Sequence, residues 1–311
     1  MTGVHKRNTL VALIGPTATG KSDLAIFLAG EFDGEVINAD SRQVYKYMDI
    51  GTAKLNQEEL VITPHHLIDI INPDEDFNLA RYKEIAIEKI DDIHERGKVP
   101  ILAGGSGQYV WALLEGWGIP RIEPDPELRR RLEEKAAAGK ADELYRELEE
   151  IDPEGARSID PKNIRRVIRA LEVSSQTGKP FSRLKIKVTP PYDTLIIGLT
   201  TDRKELYRRT DERIESMIEK GLVEEVKKLK NMGYGADIPS MSSIGYKQVM
   251  NYLDGGISLE SAIQQIKTET HRLVRKQYTW FSLTDLRIKW LDIQDDFKDQ
   301  ARALVGEFLS K

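Results

Sequence analysis

The chain has 311 residues and no cysteine. This excludes disulfides, thiolate nucleophiles, iron–sulfur clusters and cysteine-bound zinc. The length suggests two domains, or one domain with a large insertion. The 46 Lys and Arg residues against 51 Asp and Glu give a formal charge of −5, which taken alone argues against a nucleic-acid partner. No apolar run approaches the roughly 18 residues needed to span a bilayer, so no membrane partner is expected. Residues 1–8 are basic and lead into the apolar run 10–14, which is too short for the core of a secretory signal. The chain reads as cytoplasmic.

Residues 9–14 (TLVALI) form a nearly continuous apolar run, as in a strand buried on both faces of a parallel sheet. A Gly-rich turn follows, then an amphipathic helix over 21–32. EVINAD (35–40) reads as a second strand. Leu79, Tyr82, Ile85, Ala86, Lys89, Ile90 and Ile93 recur at helical spacing, with Gly97 as the stop. VPILAGG (99–105) is another buried strand, and a helix opens over 108–114. TLIIGLT (194–200) is a further strand, followed by a helix from Lys204. Alternating strands and helices predict a doubly wound α/β core, its parallel sheet flanked by helices.

Between Pro120 and Pro191 the strand signal vanishes, and charged helical stretches are broken at Pro124, Pro126, Gly139, Pro153 and Pro161. The expectation is a core from 1–120 and 191–311, with 121–190 as an all-helical insertion. The C-terminal third reads as helical. Leu259, Ala262, Ile263, Ile266, Leu273, Val274, Gln277 and Phe281 fall on one face of a long helix, with Trp280 and Phe281 expected in the core.

The strongest local signal is Gly15, Pro16, Thr17, Ala18, Thr19, Gly20, Lys21 and Ser22, which matches the nucleotide-binding loop pattern G-x-x-x-x-G-K-[ST] between a strand and a helix. Loop N–H groups and the helix dipole converge there on a phosphate oxygen. Lys21 adds a point charge, and the Ser22 hydroxyl can ligate Mg²⁺. The loop recognises a diphosphate and does not specify a base. No guanine-reading motif is present, and the nearest Walker-B candidate, His-Leu-Ile-Asp at 66–69, sits among loop residues.

Asp40 closes the second strand at the sheet edge where ligands bind. It is a candidate general base, or alternatively an N-cap for a following helix. Gly104, Gly105, Ser106 and Gly107 offer a second cluster of N–H groups and a hydroxyl at the same edge, although such turns are also common for packing reasons. Residues 157–187 hold nine Lys and Arg against Asp160 and Glu172, a net of +7 that leaves −12 for the rest. That window predicts a phosphate-backbone footprint. One of Arg208, Arg209 and Arg213 is placed to reach the phosphate site. His65 and His66 lack a third ligand and read as structural.

Together these segments resemble the bacterial tRNA dimethylallyltransferase (tRNA isopentenyltransferase) family. The matches are GPTATGKS (15–22), NADSRQVY (38–45), MDIGTAK (48–54), PHHLID (64–69), GGSGQY (104–109), IRRVIRALE (164–172), RTDERIESMIEKGLVEEV (209–226), IGYKQ (244–248) and RKQYTWF (275–281). The resemblance implies a P-loop core with a helical insertion. It implies transfer of a dimethylallyl group from dimethylallyl diphosphate to the exocyclic amine of the adenosine 3′ of the anticodon. Asp40 would be the base. Lys21, Arg213 and Mg²⁺ on Ser22 would stabilise the leaving diphosphate, and Ser106 would stand where the family often has Thr. The implied tRNA contacts are Asp40, Ser41, Arg42, Gln43, Ser106, Arg129, Ile164, Arg165, Arg166, Val167, Ile168 and Arg169, which would grip the anticodon stem-loop while the adenosine is flipped out. Eukaryotic relatives add a zinc finger that a chain without Cys cannot form. A monomer is expected. Three other readings compete: prenyl transfer to a free adenine nucleotide, a P-loop kinase of the nucleoside type, and a nucleotide-switched RNA-binding module.

Overall fold

The structure, a computed structural model, describes residues 8–119, 122, 125–184 and 187–311. The chain divides into two compact units, Met1–Leu114 with Pro191–Lys311, and Glu115–Pro190.

The first unit is built on six strands: β1 (Thr9–Ile14), β2 (Gly34–Asn38), β3 (His65–His66), β4 (Val99–Gly104), β5 (Asp193–Thr200) and β6 (Ile288–Asp292), in the order β3-β2-β4-β1-β5-β6. Every pairing is parallel. β1 lies between β4 and β5, and all six of its residues are buried, which explains why its sequence lacks a polar alternation. The register sets Ile14 beside Gly104 and Gly198, and Asn38 beside Ala103. The chain leaving β1 crosses to β2 on one side, whereas the chain leaving β4 returns at β5 on the other. Neighbouring strands thus send their C-terminal loops apart, opening a crevice at that edge.

Helices α1 (Lys21–Glu31), α2 (Gln57–Ile62), α3 (Leu79–Glu95) and α4 (Gly107–Leu114) belong to this unit. One core joins Leu24, Ala25 and Leu28 of α1 to Val11, Leu13, Ile101 and Ile197 of the sheet. All seven are 0–1% exposed, so truncating one, such as Leu13→Ala, costs roughly 2–5 kcal/mol.

The second unit holds α5 (Pro126–Lys135), α6 (Ala141–Ile151), α7 (Pro153–Arg157) and α8 (Ile164–Thr177) around Leu132, Leu144, Leu148, Val167 and Leu171. Its described residues also include one antiparallel bridge, Trp117 to Lys187.

Helices α9 (Arg203–Glu219), α10 (Leu222–Asn231), α11 (Tyr246–Leu253), α12 (Leu259–Trp280) and α13 (Phe297–Leu309) complete the first unit. A second core gathers Ile214, Leu222, Val226, Met241, Tyr246, Val249 and Ile266 with Val44, Met48 and Ile71. The C-terminal third is therefore not all helical. In β6, buried Ile288 and Leu291 flank Lys289 and Trp290, and an edge strand this short leaves only a weak apolar signature. β3 is two residues long and gave no strand signal. Trp280 is half-buried at the end of α12, and Phe281 caps that helix with no exposed surface. No helix among the described residues is long and apolar enough to cross a membrane.

Candidate active site

The loop between β1 and α1 closes on itself. Thr19 Oγ1 donates to the Pro16 carbonyl at 2.9 Å, and Lys21 Nζ donates to the same oxygen at 2.6 Å. Gly20, at φ +80°, leads into α1, a left-handed turn that favours glycine. Burial, then the charge of Arg213, lowers the Lys21 ammonium to about 7, with Asp40 opposing the shift. Arg213 on α9 donates from Nη1 to Thr17 Oγ1 at 3.3 Å. Burial lowers its pKa as well, opposed by the charges of Asp40 and Asp23. Two cations thus face one loop with little solvent, an arrangement that an anion would relieve. Arg208, by contrast, is exposed and paired with Glu205 and Glu212.

Asp40 follows β2, where the register delivers it to the same sheet edge. No helix follows it, so it is not a helix cap. Its Oδ1 accepts the Arg42 N–H at 2.9 Å and stabilises a local turn. The Asn38 side chain pins the Asp40 backbone from both sides, accepting its N–H at 3.0 Å and donating to its carbonyl at 3.1 Å. Ser106 Oγ accepts the Ser41 N–H at 2.9 Å and donates to Ser41 Oγ at 3.2 Å. Ser41 and Ser106 therefore meet, with Asp40 next in the chain.

Asp40, Ser41, Arg42, Ser106 and Arg213 line one cavity of about 470 Å³, together with Thr17. Its apolar wall includes Tyr109, Ile214, Met217, Ile244, Ile266 and Trp280. Gln43 is turned away from it, donating to the Thr52 and Ala53 carbonyls.

Several functional residues escaped sequence reasoning. Gln277 belongs with the cavity rather than with an apolar stripe, and Trp280 lines the cavity instead of filling the core. A Cβ on Gly105 would collide with Gln277 Nε2, and one on Gly107 with the Trp280 ring. The glycines at 105 and 107 are thus required by the close approach of α12. A carboxamide on an otherwise apolar helix face, one turn from a Trp, is the signal that could have found this pair. Glu225 on α10 accepts the backbone N–H groups of Asp49, Ile50 and Gly51 and the Tyr246 hydroxyl at 2.6 Å. That carboxylate shapes the loop carrying Gly51 and Thr52 into the cavity.

His66 Nε2 donates to the buried Glu35 carboxylate at 2.7 Å. Among the described residues no group of three His, Asp or Glu could hold an ion. Asp69, the Walker-B candidate, binds Lys54 Nζ at 2.5 Å instead.

In the helical unit, Arg165 and Arg166 are exposed on α8. Val167 and Ile168 are buried in that unit's core, so their side chains present no surface to RNA. Arg129 and Arg169 bind the fully buried Glu172 at 2.8 and 2.7 Å. Burial resists ionisation of Glu172, but the two guanidiniums hold its pKa below the usual value. Ile164 is half-buried at the start of α8, and Lys185 lies outside the described residues.

A parallel sheet, a phosphate-binding loop and a carboxylate near two half-buried cations define a P-loop enzyme. A family model described as IPP transferase matches residues 43–284. The tRNA dimethylallyltransferase of Dehalococcoides mccartyi is 47% identical over 301 residues, covering 97% of this chain and 93% of that protein. That of a Roseiflexus species is 47% identical over 300 residues, covering 96% and 98%. The full-length tRNA isopentenylpyrophosphate transferase from Bacillus halodurans superposes with a TM-score of 0.73 at 40% identity, over 97% of each chain. A eukaryotic dimethylallyltransferase solved while acting on tRNA gives 0.83 at 30% identity, over 97% of this chain and 80% of that one. The chain belongs to the IPP transferase family.

Proposed function

We propose that the protein transfers a dimethylallyl group from dimethylallyl diphosphate to the exocyclic amine of the adenosine 3′ of the anticodon in tRNA. The observation that carries this reading is the convergence of Asp40 and Arg213 at one cavity, which Thr17 of the loop also lines, with Lys21 at the end of that loop within reach of both charges. The amine nitrogen forms a bond to the allylic carbon. The carbon–oxygen bond to diphosphate breaks, and its electron pair leaves with the diphosphate. Asp40 takes the amine proton. Lys21, Arg213 and the N–H groups of 18–22 meet the charge growing on the leaving oxygens.

The residues suit Mg²⁺ as an accessory ion. Ser22 offers an exposed hydroxyl at the start of α1, and Mg²⁺ is commonly held by one or two protein oxygens plus substrate phosphates and water. Bound there, the ion would neutralise diphosphate charge. Arg165 and Arg166 supply exposed positive charge for the anticodon stem.

The test is incubation with unmodified tRNA, Mg²⁺ and labelled dimethylallyl diphosphate, with ATP as the control donor and free AMP as the control acceptor. Label on tRNA alone is expected. Label on AMP would favour the free-nucleotide reading, and phosphate transfer from ATP the kinase reading.

A further inference from the structure

We infer that Gln277 is a positioning residue for the transfer, holding the diphosphate loop and the Gly-rich loop at one fixed spacing. The inference rests on the reaction proposed above. Gln277 Oε1 accepts the Thr17 N–H at 2.9 Å, and Gln277 Nε2 donates to the Gly105 carbonyl at 3.0 Å. The side chain is 6% exposed, so both bonds form where water competes poorly. Thr17 sits in the loop that would receive the leaving group. Gly105 adjoins Ser106, whose hydroxyl meets Ser41 beside the base Asp40. One carboxamide therefore bridges the donor and acceptor sides of the cavity.

The chemistry of the bridge is selective. Thr17 presents a donor and Gly105 an acceptor, and a primary amide is the uncharged group that answers both. Gly105 has no side chain, and any Cβ would occupy the place of Nε2. The α12 end is itself anchored: Trp111 Nε1 donates to the Trp280 carbonyl at 2.8 Å, and Trp280 packs on Gly107. The spacing matters because the amine must attack in line with the departing oxygen. A displacement of about 1 Å in such a geometry can cost about 10²-fold in rate.

Two variants test this, Gln277→Met and Gln277→Glu, with kcat, the KM for each substrate, the tRNA Kd and the Tm measured for each. Gln277→Met keeps the volume and removes both bonds. Its kcat is expected to fall about 10-fold or more with the tRNA Kd within about twofold of wild type. Gln277→Glu is nearly isosteric and stands in if the Met variant unfolds. Its ionised form repels the Gly105 carbonyl and the leaving diphosphate, while its protonated form restores one donor and one acceptor. Its kcat relative to wild type is therefore expected to rise as pH falls. Asp40, Arg42, Arg213 and Lys276 line the same cavity and Lys21 ends the loop, so the ratio to wild type removes their shared titration. Wild-type kcat in both variants, or a loss carried wholly by tRNA affinity, overturns the assignment. A wild-type protein that transfers no prenyl group overturns the proposed reaction and this role with it.

Discussion

Arg213 Nη1 donates to Thr17 Oγ1 at 3.3 Å, joining positions 196 residues apart in the chain. This contact brings the guanidinium from α9 to the phosphate loop. Arg213→Ala is expected to lower kcat by about 10²-fold or more, since a charge-stabilising group at the leaving diphosphate is lost. Arg213→Lys keeps the charge but not the planar fork, and should recover only part of the rate. Single-turnover measurement with saturating tRNA checks this. A loss confined to tRNA affinity would place the role elsewhere.

Asp40→Asn retains an oxygen that can accept the Arg42 N–H, so the turn that Asp40 stabilises should survive. The basic carboxylate is gone, however, and turnover is expected to fall by at least ~10²-fold with tRNA binding unchanged. Filter binding beside a rate assay separates the two effects. Full turnover by this variant would reject Asp40 as the base.

The Lys21 ammonium titrates near 7 in the ligand-free protein. It loses its proton as pH rises through that value, and an anion entering the loop must restore it. Binding of inorganic diphosphate is expected to weaken with rising pH and to take up protons, as read calorimetrically in buffers of different ionisation enthalpy. Lys21→Arg should flatten the dependence, because guanidinium stays charged; comparison with this variant removes the titration of the diphosphate itself. The sign for stability is opposite. The unfolded chain holds the extra proton between about 7 and 10.5, so the ligand-free fold gains stability as pH rises across that window.

The arginines of the helical unit divide by partner. Arg165→Ala with Arg166→Ala removes exposed charge and is expected to lower the slope of log affinity for tRNA against log salt by up to about 2, with the Tm little changed. Arg169→Ala leaves Glu172 buried with one guanidinium fewer. It should cost about 1–3 kcal/mol of stability, measured by urea denaturation. An unchanged salt slope in the double variant would move the RNA to another surface.

Glu225 receives three successive backbone N–H groups and the Tyr246 hydroxyl. Glu225→Gln keeps the shape but removes the charge from these bonds and turns one acceptor into a donor. A loss of about 1–3 kcal/mol is expected in denaturant unfolding. Tyr246→Phe removes a single bond and should cost about 0.5–1.5 kcal/mol. Equal stability of Glu225→Gln and wild type would show the 49–51 turn to be independent of this carboxylate.

The parts of the site that could be read from the sequence are local. The strand, loop and helix over 9–31 carry their own signals, because a buried strand, a φ-positive glycine and a helix start each leave a pattern within a few residues. Asp40 was legible as a residue at a strand end, yet whether it capped a helix or served chemistry was open. The absence of a following helix removes the cap reading, and the register of Asn38 beside Ala103 brings Asp40 to the ligand edge of the sheet. The +7 window pointed to charge, but it could not separate Arg165 and Arg166 from Arg169, whose partners include Arg129's acceptor Glu172. Ion pairing across helices has no sequence period.

By itself, then, the sequence determined the α/β alternation, the phosphate loop, the helical stretch between its strands and the family resemblance. These depend on short-range periodicity and on motifs confined to single turns. Only the tertiary structure decided that Gln277 spans the two loops, that Trp280 faces the cavity, that Glu225 holds residues 49–51, and that Gln43 turns away. Each is a contact between segments far apart in the chain, and such contacts follow from strand register and helix packing rather than from any local pattern.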